Sequence, residues 1–137
     1  MTTVYDCGVL QLTKIFNTAG SLTVLENGSR IPFDIKRLYY IYDVKSGQDR
    51  GAHAHKQLEQ CIVAVSGAFE VLLDDGQQKK VFSLDRPNIG LHVKPGMWRQ
   101  LFNFSGGAVC LVLASHPYDE ADYIRDYDAF LDYTAKQ

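Results

Sequence analysis

The chain has 137 residues, enough for one domain that buries roughly two-thirds of its unfolded surface without disulfides or a structural metal. A net charge of −2 argues against an electrostatic nucleic-acid binder, which carries a strong basic excess, and no apolar run reaches the roughly eighteen residues of a membrane span. Cys7, Cys61 and Cys110 are odd in number and set in apolar surroundings, and no basic segment precedes a long apolar core near the start; buried free thiols in a cytoplasmic protein are expected.

In chain order, VYDCGVLQL and SLTVLEN read as strands that need a sheet to join. RLYYIYDV is an aromatic strand, and DRGAHAHKQLEQ carries two histidines at strand spacing. QCIVAVSG follows, and AFEVLLDDGQQKKVFSL predicts a hairpin turning at Asp75-Gly76. GLHV, MWRQLFNF and AVCLVLAS complete a cadence of short strands broken by turn signals, which indicates an all-β sandwich or barrel. In DEADYIRDYDAFLDY the period changes: Tyr123, Tyr127, Phe130 and Leu131 recur at helical spacing behind acidic residues, so one short C-terminal helix is expected. No repeat or linker divides the chain, and residues 1–137 are read as a single domain.

His53 and His55 are two residues apart, so on a strand both imidazoles project from one face, about seven ångströms apart along the chain. Such a pair can hold a metal, move protons or pack. Free imidazoles titrate near ~6.5 and can exchange protons with a substrate at neutral pH. A proton taken from beside a carbonyl leaves an enolate-like charge, which Arg50, Arg99 or a tyrosine hydroxyl can stabilise. In RLYYIYDV, Tyr39 projects with Ile41 and Tyr40 with Tyr42; periodicity alone does not choose which pair faces a cavity.

The spacing Gly47, His53, His55, Glu59, Gly67 resembles the first motif of the cupins, and Gly90, Pro95, Gly96 and Asn103 resemble the second. That resemblance implies a double-stranded β-helix, the jelly-roll barrel. Where metal-binding cupins place a third histidine, this chain has Arg99, a residue that stays protonated and cannot ligate a metal.

Taken together, IPFDIKRLYYIYDV, RGAHAHKQLEQ, PGMWRQLFNF and VLASHPYDEADYIRDYDAF resemble the sugar 3,4-ketoisomerases over nearly the whole chain. The resemblance implies a metal-free, cofactor-free isomerisation of dTDP-4-keto-6-deoxyglucose: the C3 proton leaves, an enediol forms, and reprotonation at C4 leaves the ketone at C3. The product then serves a 3-aminotransferase, toward amino sugars of surface glycans. By the same resemblance His53 is the base that shuttles the proton, His55 helps to move hydroxyl protons, and Tyr39 belongs to the active site. Arg50 and Arg99 would hold the diphosphate or sugar oxygens, with guanidinium forks that suit both. Glu59 is placed on the substrate side, or else orients a histidine or pairs with Lys56. Arg99 leans the product toward the gluco configuration at C4.

Arg125 is read as an ion pair with neighbouring acids and Trp98 as core, while His92 and His116 lack a partner at useful spacing. The competing functions are a cupin-type dTDP-4-keto-6-deoxy-sugar epimerase, a metal-dependent cupin oxygenase using the two histidines and a carboxylate, and a non-catalytic sugar-binding cupin. Members of the resembled family exchange N-terminal strands, so a strand-swapped homodimer is expected.

Overall fold

A computed structural model of the chain describes residues 2–137. Two five-stranded antiparallel sheets face each other. The first runs in the order β1 (Gly8–Gln11), β7 (Ile89–Val93), β4 (Gln60–Ser66), β9 (Val109–Ala114), β2 (Arg37–Ile41). The second runs β10 (Tyr123–Ile124), β3 (Arg50–His55), β8 (Trp98–Phe102), β5 (Phe69–Asp74), β6 (Lys79–Leu84). Helix α1 (Tyr127–Ala135) packs on the outside of the second sheet. The expected jelly-roll with a short C-terminal helix is the architecture observed.

Three clusters explain why these segments form these strands. Between the sheets lie Ile62, Val71, Leu73, Leu91, Leu101 and Val112, all essentially without solvent exposure. Outside the first sheet, Leu12 and Ile31 cover Cys61, Val63 and Leu113. Strand β4 is therefore buried on both faces along Gln60–Ala64, which is why QCIVAV is a continuous apolar run rather than an alternating one. Outside the second sheet, Phe130 of α1 packs with Ala54, Trp98 and Ile124.

The predicted hairpin is β5–β6, in register from Phe69 opposite Leu84 to Asp74 opposite Lys79. Asp75 holds its turn by accepting from the Gln77 and Gln78 amides at 2.9 and 2.8 Å. All three cysteines are free and buried.

Two expectations need correction. The helical stretch does not begin at Tyr123: Tyr123 and Ile124 pair with His55 and Ala54 as a short edge strand, and the helix starts after Asp126, which caps it by accepting from the Ala129 amide at 3.0 Å. The helical spacing of Tyr123 is thus coincidental, because sheet pairing satisfies its backbone instead. Within SLTVLEN only Leu22 forms a bridge, to Ile15, and the remainder is irregular.

Candidate active site

His53 and His55 occupy alternate positions of β3, and both point between the sheets, 7% and 4% exposed, while Ala54 between them packs outward under α1. Antiparallel pairing sets His53 opposite Arg99 of β8. Arg99 is only 1% exposed; its Nε and Nη2 lie 3.3 and 3.1 Å from His53 Nε2, and Nη2 also donates to the Tyr39 hydroxyl at 2.9 Å. Its Nη1 is buried with no acceptor among the described residues. Tyr39 and Ile41 pack toward the core while Tyr40 and Tyr42 are exposed, so the strand's facing is now fixed.

A pocket of about 860 Å³ opens beside these groups, bounded by β2, the start of β3, and the β9–β10 connection. Tyr39, Arg50, His53 and Arg99 line it together with Arg37, Tyr118, Tyr123 and Arg125. Arg50 reaches this wall through a bulge: Arg50 lies opposite Leu101 and His53 opposite Arg99, so β3 carries one residue more than β8 between them. In a regular strand, residues three apart face opposite sides. The bulge is made by Gly51 at φ +68°, and a Cβ there would come within 3.4 Å of Arg99 Nη2.

His55 sits one layer behind the pocket wall, its ring edge-on to that of His53 with centroids 4.8 Å apart. Both of its nitrogens are engaged, Nδ1 with Asp122 Oδ2 at 3.1 Å and Nε2 with the Gln60 amide nitrogen at 3.3 Å. Glu59 does not line the pocket. It accepts from His92 Nε2 at 2.8 Å on the outer face of the first sheet, so its placement on the substrate side is not what the fold gives. The histidine that Glu59 orients is one left without a partner in the sequence, because β4 and β7 are brought together only by the sheet.

Burial and the positive charge of Arg99 push His53 down to about 2. Burial and Arg99 also lower His55, against the opposing pull of Asp122, to about 4. Titration near the free-imidazole value, expected from composition, is therefore corrected: both rings are neutral at pH 7, and desolvation is the main cause. Among the described residues no three His, Cys, Asp or Glu side chains converge as a metal set, and the lone pair of His53 that a cation would use faces a guanidinium.

Four lining groups escape the sequence reading. Arg37 lies over the Tyr39 and Tyr118 rings at 4.8 and 5.2 Å and donates to the Tyr123 hydroxyl at 3.2 Å. Its two-residue offset from Tyr39 on one strand was the available signal. Arg125 does form the expected ion pair, with Glu120 at 2.8 Å, yet it also covers the Tyr123 ring at 4.2 Å and borders the pocket. Tyr118 lies in irregular chain after β9 and carries no period, while the helical phase of Tyr123 hides its place on a two-residue strand.

Residues 5–135 match the family described as FdtA: WxcM-like, C-terminal. The TDP-4-oxo-6-deoxy-alpha-D-glucose-3,4-oxoisomerase of Aneurinibacillus thermoaerophilus is 48% identical over 128 residues, covering 93% of this chain and 92% of that relative. Among solved structures, a 3,4-ketoisomerase from Helicobacter canadensis superposes with a TM-score of 0.92 at 51% identity, covering 95% of this chain and 98% of its own. A histidine-to-asparagine mutant of the 3,4-ketoisomerase QdtA from Thermoanaerobacterium thermosaccharolyticum, in complex with TDP-4-keto-6-deoxyglucose, superposes with a TM-score of 0.95 at 39% identity, covering 98% of each chain.

Proposed function

The chain belongs to the FdtA family, and from that membership we propose that it is a dTDP-sugar 3,4-ketoisomerase that moves the ketone of dTDP-4-keto-6-deoxyglucose from C4 to C3. The observation that carries the reading is the trio His53, Arg99 and Tyr39, joined by hydrogen bonds at the wall of a pocket large enough for a sugar nucleotide.

In this reading His53, uncharged before substrate binds, takes the C3 proton on Nε2 once the substrate oxygens draw Arg99 off that lone pair, and returns it at C4. The intermediate carries enolate charge on the C4 oxygen, and Tyr39 and Arg99 act as donors fixed in advance for that charge. The acceptor that Arg99 Nη1 lacks among the described residues is of the kind a sugar oxygen supplies. Net chemistry is a shift of two hydrogens, from C3 to C4 and from the C3 hydroxyl to the C4 oxygen, with no electron acceptor. The hydroxyl proton falls to His55, whose Nε2 must first be released by Gln60. Arg37, Arg50 and Arg125 give the pocket mouth the positive field that a diphosphate requires. That diphosphate in turn offsets the guanidinium charges and makes His53 a stronger base in the complex than in the free protein.

We read the whole chain as one such domain, acting in the cytoplasm as a homodimer that exchanges N-terminal strands. No helix among the described residues is long and apolar enough to cross a membrane. The outer edge of β2 is unpaired, and Ile15, Phe16, Leu22 and Val24 are exposed, which supports a second copy as the cover.

The test is incubation with dTDP-4-keto-6-deoxyglucose in deuterium oxide, followed by NMR. A C3 ketone is expected, with deuterium at C4 in those turnovers where the proton on His53 exchanges with solvent before its return, and His53→Asn should lower turnover about a hundredfold to ten-thousandfold while nucleotide binding persists. A 4-keto product inverted at a ring carbon would make the protein an epimerase. Loss of turnover in chelator would put a metal in the reaction, and binding with neither a C3 ketone nor hydrogen exchange at C3 would leave only a sugar-binding module.

A further inference from the structure

Asp122 ends a short 3-10 turn, Glu120–Asp122, at the start of the segment that includes β10. Its carboxylate receives three donors from another part of the fold: Oδ1 accepts from the Gln57 amide at 2.7 Å, and Oδ2 takes the Leu58 amide at 3.3 Å and faces His55 Nδ1 at 3.1 Å. An ionised carboxylate only accepts, so the ring nitrogen facing it must bring the proton. His55 is therefore held with its hydrogen on Nδ1 and a lone pair on Nε2. That lone pair in turn selects the face of the Gln60 amide, whose NH2 group must point at it from 3.3 Å.

This arrangement leaves Gln60 Oε1 buried with no partner among the described residues, in a side chain only 2% exposed. A buried carbonyl without a donor is a standing cost, and an apolar residue at that point of β4 would avoid it. A second state uses the orphan: once Nε2 gains a proton, a half-turn of the amide swaps its nitrogen for its oxygen and makes the new N–H a donor to Oε1. The groups facing His55 pull in both directions. Asp122 favours the proton, Arg99 of β8 and Arg37 of β2 oppose it, and His53 and the Tyr123 ring complete the enclosure.

We infer that Asp122 and Gln60 are positioning residues for His55, Asp122 fixing the tautomer with hydrogen on Nδ1 and the Gln60 amide turning over when Nε2 takes up a proton. The inference rests on the isomerase reading for its purpose, but not for its geometry. Replacing Asp122 by Asn changes the logic without changing the shape. The Asn oxygen keeps the shorter contact, to the Gln57 amide, which turns NH2 toward His55 Nδ1 and the more distant Leu58 amide and forces the ring hydrogen onto Nε2.

Nitrogen-15 NMR of the histidine rings in the substrate-free protein reads the tautomer directly, whatever reaction the protein catalyses. The wild type should carry the His55 hydrogen on Nδ1, and Asp122→Asn should move it to Nε2 and lower kcat about a hundredfold or more. Gln60→Glu, which offers a permanent acceptor and a negative charge, should raise the acid limb of kcat/KM by about one pH unit or more. Gln60→Leu, which cannot answer a proton, should lower it. A wild-type hydrogen on Nε2 would overturn the assignment. So would an Asp122→Asn protein that melts earlier yet keeps its tautomer and kcat, which would make Asp122 a loop pin only, or a Gln60→Glu protein whose acid limb does not move. An inactive wild type with the predicted tautomer would instead count against the isomerase reading.

Discussion

His53 is kept neutral by its burial and by Arg99, one of the two groups proposed to receive the negative charge its action creates. A base must be uncharged to act, so activity on the acid side is lost only as the ring gains a proton. A folded value pulled below that of free imidazole moves this loss to lower pH. The acid limb of kcat/KM, which reports the free protein, should therefore lie below pH 6.5, since the two rings are lowered to about 2 and about 4. The limb of kcat, which reports the complex, should lie higher, because the bound diphosphate offsets the arginines; a pH–rate series across 4.5 to 8 at low and saturating substrate separates them. Limbs that coincide near the free-imidazole value would remove the arginine field from the account. The histidine pair was legible from its spacing, and Tyr39, Arg50 and Arg99 from the resemblance of the segments that carry them. Asp122 was not, for it meets His55 across 67 positions of sequence, and no local pattern marks a carboxylate that acts at that distance.

Among the elements, β3 departs most from what a pattern reading supplies. Alternation correctly put both imidazoles on one face, but it also put Arg50 on the other, and only the extra residue at Gly51 returns Arg50 to the pocket wall. The glycine of RGAHAH is there for its left-handed backbone, on which the bulge turns. Gly51→Ala should cost about 1–2 kcal/mol of stability and, as the bulge relaxes and Arg50 leaves the pocket wall, lower turnover tenfold to about a hundredfold. Gly107→Ala separates the two effects, since Gly107 has φ +74° with nothing within 4 Å of its added Cβ. Thermal melting should register both variants and turnover only the first; equal turnover in the two would deny Gly51 any part in placing Arg50. Strand β10 was hidden for a related reason. Two residues hold no period, and the Tyr123 side chain happens to fall in phase with the helix that follows.

At the scale of the molecule, the barrel, its hairpin and the helix follow from composition and turn chemistry, whereas the arm at residues 13–30 does not. Its SLTVLEN stretch reads as a strand, but among the described residues Ile15 and Leu22 make only one bridge, and apolar side chains there remain uncovered, with Phe16 at 74% exposure. A sequence states that such a segment wants a sheet without stating whose. If a second copy supplies it, sedimentation should find a dimer at micromolar concentration, and Phe16→Asp should yield folded monomer. A wild-type monomer would deny the exchange.

Two of the three thiols add a property unrelated to the reaction. Cys110 lies between the sheets and Cys61 beneath the arm, against the notch left by Gly90, where a Cβ would stand 2.5 Å from its sulfur; burial holds both thiols at about 12. Neither meets an alkylating reagent while the barrel is shut. The pace at which each sulfur is labelled is consequently a clock for breathing of the native protein: Cys61 times the lifting of the arm, and Cys110 the parting of the two walls.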